Sequence, residues 1–153
     1  MLELSAKSIT DEMLAISALR AMVTAPSAGG QQLLTTDSLP GLRVIIRMVF
    51  SEMMLQLTDV IESCDIDAEN SEASSPYSDS EPLRLAVQLP DEDKLSSGML
   101  LTVKRQMEHA VAAGVLAWVA SSADADFTQL LQAQRDGAIA ALREVLTPVA
   151  VPL

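Results

Sequence analysis

The sequence predicts a mainly α fold: four helices in a single domain over residues 1–153, with one short β-strand or hairpin element near residues 83–89. Three observations lead there. Apolar residues recur three and four apart through four long stretches, which places them on one face of a helix. Leu83, Leu85, Val87 and Leu89 alternate with Arg84, Ala86 and Gln88, and a period of two is the signature of a strand. A chain of 153 residues suits one domain. A chain of that size buries roughly 70% of its extended surface and needs no covalent staples.

Leu2 and Leu4 alternate with Glu3 and Ser5, as a short arm, a strand or a frayed end. The first helix is predicted from about Thr10 to Val23. Ser8 or Thr10 caps it, and Asp11 and Glu12 suit its positive end. Ile9, Met13, Ile16, Leu19 and Val23 share a face. Ala25-Pro26-Ser27-Ala28-Gly29-Gly30 ends it. No Gly-Lys-Ser/Thr follows the paired glycines, so they are not a phosphate loop.

The second helix is predicted from Leu39 to about Cys64. Caps come from Thr35-Thr36-Asp37-Ser38, and Pro40 falls in the first turn. Its stripe runs through Leu39, Leu42, Ile46, Val49, Met53, Leu57 and Val60. Ile45, Phe50, Met54 and Ile61 widen it, so more than one partner must cover it. It is expected to be the central helix. Residues 65–81 are polar, acidic and serine-rich, the composition of a flexible loop. The strand at 83–89 needs a partner. The candidates are the Leu2–Leu4 arm, part of the acidic loop, or a neighbouring subunit, with an intramolecular pair preferred.

The third helix is predicted from about Leu95 to Ser121, with a stripe through Leu100, Val103, Met107, Val111, Gly114 and Trp118. Ala110, Ala112, Ala113, Gly114 and Ala117 permit close helix approach. Lys104, Arg105 and Glu108 mark the wet face. In the fourth helix Asp126 and Gln129 resemble a capping box. Phe127, Leu130, Leu131, Ala138, Leu142 and Val145 carry it to about Leu146. The short break before it predicts an antiparallel pair with the third helix. Residues 147–153 form a tail closed by Pro148 and Pro152.

The net charge of −11 disfavours a nucleic-acid partner, which needs a dense positive face. The acid is concentrated: residues 65–94 hold nine acids against Arg84 and Lys94. A solvated loop accounts for this, and an acidic surface meeting a basic partner is the sharper reading. The single cysteine excludes an internal disulfide framework and a cysteine-based zinc site. The Ala110–Ala120 run is far shorter than the ~20 residues a bilayer needs, so no membrane partner is expected. MLELSAKSITDEM lacks the pattern of a secretory signal, and a soluble intracellular protein is expected.

No catalytic, cofactor-binding or metal-binding set emerges. His109, the only histidine, stands mid-helix beside Glu108 with no convergent partner in the sequence, and reads as a helix-surface residue. Cys64, placed at a helix C-terminus where the dipole disfavours a thiolate, is a poor nucleophile. Asp65, Asp67 and Glu69 mimic the start of a calcium loop, but Asn70 and Pro76 stand where glycine and glutamate are required. The residues selected as an interaction surface are Leu83, Leu85, Val87, Leu89, Met48, Met54 and Trp118. Met48, Met53 and Met54 read first as core filling and second as an adaptable binding face.

The pieces TTDSLPGLRVIIRMVFSEMM, LRLAVQLP and VLAWVASSADADFTQLLQAQRDGAIAALREVL follow a set order. A capped helix, a long helix, a polar loop and a short strand ending in Leu-Pro come first. A helix closing near Ala-Trp, a break, a last helix and a proline-bearing tail follow. This layout resembles the small helical head-tail connector (head-completion or adaptor) proteins of tailed bacteriophages and prophages. The resemblance implies a non-enzymatic virion component that forms a homo-oligomeric ring between portal and tail proteins. It further implies residence in the host cytoplasm and then in the virion, with no catalytic residues to carry over. The alternative is a small intracellular regulatory or adaptor protein that binds a partner through its Met-rich helix face.

Overall fold

A computed structural model describes residues 1–24, 39–66 and 83–147. The fold is mainly helical with a small antiparallel sheet, as the periodicities predict. In chain order the elements are β1 (Leu2–Ser5), α1 (Ala6–Thr24), α2 (Leu39–Gln56), β2 (Ser63–Ile66), β3 (Arg84–Gln88), α3 (Ser97–Ala120) and α4 (Ala125–Leu146). The predicted connection at 25–38, loop residues 67–81 and tail residues 148–153 lie outside the described residues.

The sheet order is β1-β3-β2, with β3 antiparallel to both neighbours. The register aligns Leu2 and Cys64 with Val87, and Leu4 and Ile66 with Leu85. Because successive side chains alternate across a sheet, these rows share the face that carries the core. Glu3, Arg84, Gln88, Ser63 and Asp65 take the other face, where Arg84 Nε reaches Glu3 Oε1 at 2.8 Å. The option of a neighbouring subunit as the strand's partner is therefore corrected. β3 is the central strand, and both of its edges are filled from within the chain. One partner is the predicted Leu2–Leu4 arm. The other straddles the end of the predicted second helix and the start of the predicted loop.

The central helix is α3, not α2. It packs against α1, α2, α4 and β1. From Ala110 to Ala117 every position is buried, and a helix that is apolar all round belongs inside the molecule. Gly114 marks a close approach. A Cβ built there would lie 2.6 Å from Val49 Cγ1 and 3.3 Å from Arg135 Cδ. The small residues are packing devices, and Gly114 lets α2 cross α3.

α2 ends eight residues before the predicted stop at Cys64, at Gln56. The Leu57 amide is shared between the Met53 and Met54 carbonyls, and the Val60 and Ile61 amides both bond the Leu57 carbonyl. This tight turn keeps Leu57 and Val60 buried on one side, so it imitates helical spacing. The Glu62 amide then donates to the Gln88 carbonyl, and the chain enters the sheet.

The caps also differ from those predicted. α1 begins at Ala6, not Thr10, because Ser5 Oγ accepts the Ser8 amide at 3.1 Å. Thr10 bonds back to the Ala6 carbonyl inside the helix. α3 is capped by Ser96, which accepts the Met99 amide at 3.1 Å. α4 is capped by Asp124, two residues before the predicted box, through the Phe127 amide at 3.0 Å.

Candidate functional site

Of the seven residues selected as an interaction surface, five lie in the core. Leu83, Leu85, Val87 and Leu89 are buried because their face of β3 looks onto the helices, and Met54 is buried on the inward stripe of α2. That reading is corrected for all five. Met53 is buried as well, so a methionine face on α2 rests on Met48 alone. Met48 is 37% exposed, and Trp118, one turn beyond Gly114, is 56% exposed. These two remain at the surface, accompanied by other large apolar side chains including Leu19, Leu101 and Leu130.

Polar chemistry gathers along the seam between α1 and α3. Glu108, predicted on the wet face, is only 2% exposed. Its Oε2 accepts the Ser5 amide at 2.6 Å, and its Oε1 accepts Arg105 Nη1 at 3.2 Å. Ser5 is the residue that caps α1, so Glu108 fills from another helix the place that an acidic residue in the first turn fills in a capping box. It also sets a negative charge at the positive end of α1. One position further on, the His109 Nδ1–H donates to Glu12 Oε1 of α1, with both side chains about one third exposed at 32%. His109 is thus a paired residue of a helix seam, with a partner that no local spacing announces. A histidine–carboxylate pair can orient an imidazole for proton transfer. Here it joins two helices.

A second polar joint ties α1 to the start of α4. Arg20 Nη2 and Nε reach Asp124 Oδ2 at 3.1 and 3.2 Å, and the guanidinium lies 5.0 Å from the centre of the Phe127 ring. The Phe127 amide and then the Arg20 guanidinium hold the Asp124 carboxyl below its ordinary value, outweighing a desolvation that pushes it up. At the far end of α4, Arg143 grips Asp59 with two bonds of 2.9 and 2.6 Å and donates to the Gln56 carbonyl at 2.5 Å. The Arg143 hydrogen bonds are the main cause of a lowered Asp59 pKa.

Cys64 stands in β2 and is exposed, so the helix-dipole argument against its reactivity does not apply. It borders a cavity of about 370 Å³ between the end of α2 and β2, lined by Ser51, Met54, Leu55, Thr58, Ile61 and Ile66 among others. No group of three or more His, Cys, Asp or Glu side chains among the described residues is placed to hold a metal ion. No described helix is long and apolar enough to cross a membrane. No protein-family model, curated protein or solved structure matches the chain.

Proposed function

We propose that the chain is a non-enzymatic structural protein: a head-tail connector (adaptor) subunit of a tailed bacteriophage or prophage. It assembles as a homo-oligomer with portal and tail proteins in the host cytoplasm and passes into the virion. The observation that carries this reading is the exposed apolar surface of the helices, with Trp118 as its largest member. Large aromatic side chains at a surface are the usual anchors of protein interfaces. The order of elements on which the resemblance rests lends support, since each quoted piece contains a helix or the central strand. The polar groups with evident chemistry, Glu108, His109, Arg20 and Asp124, are engaged in joining elements to one another.

Trp118 is the only tryptophan, so its emission reports on its own burial. Light scattering and tryptophan emission are followed as the protein is concentrated, alone and with a purified phage portal protein. A ring or portal complex whose formation shifts the emission to the blue supports the reading. A monomer under all these conditions, with emission fixed at the solvated position, overturns it.

A further inference from the structure

β2 is an outer strand of the sheet: one edge pairs with β3, and among the described residues no strand pairs the other. Such an edge presents a row of backbone donors and acceptors to any extended segment that reaches it. Cys64 and Ile66 lie on the core-facing side of β2, and beside them the sheet stops short of α2. The gap is the 370 Å³ cavity floored by Met54 and Ile61 and walled by Leu55, which is 72% exposed. A strand edge beside an apolar slot and a helix is the arrangement that captures peptides by strand addition. Backbone bonds supply the hold, and every second side chain enters the slot.

We propose that β2 and the end of α2 form a docking site for an extended, basic peptide segment of a partner protein, which adds as a fourth strand and seats apolar side chains in the cavity. The charge argues for that occupant. Glu62 lines the cavity, Asp65 lies on β2, and no Lys or Arg is among the lining residues. The chain's own continuation, 67–82, carries Asp67, Glu69, Glu72, Asp79 and Glu81 with no Lys or Arg, which makes it a poor electrostatic match for this rim. A second copy pairing edge to edge sets another Glu62 and Asp65 beside this rim, a like-charge approach that a basic peptide avoids. A peptide alternating lysine with valine or leucine satisfies the edge, the slot and the acidic rim together. The site stands independently of the connector reading.

The test uses a fluorescein-labelled heptapeptide, Lys-Val-Lys-Leu-Lys-Val-Lys, its Glu-substituted counterpart, and a version with proline in place of two central lysines. Cys64, the only cysteine, supplies a second readout through its rate of alkylation by N-ethylmaleimide. Saturable anisotropy is expected for the basic peptide alone, weakening as salt rises. Binding should fall by about tenfold or more in Glu62→Lys/Asp65→Lys and in Leu55→Lys. The bound peptide should slow Cys64 alkylation. Circular dichroism confirms that each variant is folded before its binding is read. Equal binding of the proline peptide, which cannot complete a ladder, overturns the proposal. So does unchanged binding in the folded variants, or absence of saturable binding. Slower Cys64 alkylation at high protein concentration without peptide assigns the edge to a second copy and overturns it as well.

Discussion

The two sides of α3 are held in different ways. Toward α2 and α4 the contact is apolar and close: Gly114 admits Val49, and alanines at 110, 112, 113 and 117 bring the neighbours in. Toward α1 polar pairs join the buried Ile9 and Met13: Glu108 on the Ser5 amide, Arg105 on Glu108, His109 on Glu12, and Arg20 on Asp124 beyond the end of the helix. Close packing of carbon is indifferent to salt screening, whereas paired charges are not. α1 is therefore expected to loosen from α3 before α2 and α4 do as salt rises.

The largest effects should come from the apolar side. Leu85→Ala empties a fully buried position in the central strand and should cost about 2–5 kcal/mol in denaturant unfolding. Gly114→Ala drives a methyl into Val49 and should cost about 1–3 kcal/mol. Adding Val49→Ala to Gly114→Ala should recover part of that loss, a coupling that a double-mutant cycle reads directly. Additive losses would mean that the α2–α3 crossing is not limited at this point.

Glu108→Ala should come next, at about 1–3 kcal/mol, because it leaves the half-buried Ser5 amide without its acceptor. Glu108→Gln keeps an acceptor for that amide and should lose less. If both variants lose the same amount, the charge on Glu108 matters and the hydrogen bond does not. The smallest effects belong to the surface joints. Asp124 and Asp59 both have lowered native pKa values, from the Phe127 amide and Arg20 in one case and from Arg143 in the other. Their stabilisation is complete above the ordinary carboxylate value and drains as pH falls through the lowered native value. Asp124→Asn should therefore differ from the parent in Tm at neutral pH and converge on it in acid. A gap that persists below the native titration would assign the effect to the capping bond from the Phe127 amide rather than to the charge.

Much of this fold was legible in sequence because its signals are periodic. The alternation at 83–89 found β3, and the spacing of small residues in α3 found the close crossing. The helix hub was misplaced because breadth of the apolar stripe favoured α2. The all-round burial of α3 is carried by alanines, whose small side chains make a weak stripe. The end of α2 was hidden because a turn at 57–60 spaces Leu57 and Val60 as a helix would. Ser63–Ile66 was missed as a strand because its alternation lasts only four residues, between an apparent helix end and a polar stretch, and its place depends on β3. Glu108 read as solvated beside Lys104 and Arg105. Only the tertiary partner Ser5, more than a hundred positions away, reveals a buried cap. The chosen interaction residues failed for a related reason: alternation shows that one face of a strand is apolar, not whether the same chain covers it.

Amide hydrogen exchange on the parent and Glu108→Ala proteins tests the central contrast most directly. The amides of α3 between Ala110 and Ala117 should keep nearly all their protection when Glu108 is removed, while those of the first turns of α1 exchange much faster. Equal loss of protection in both regions would contradict the account, since it would mean that the polar seam and the close-packed side of α3 open as one.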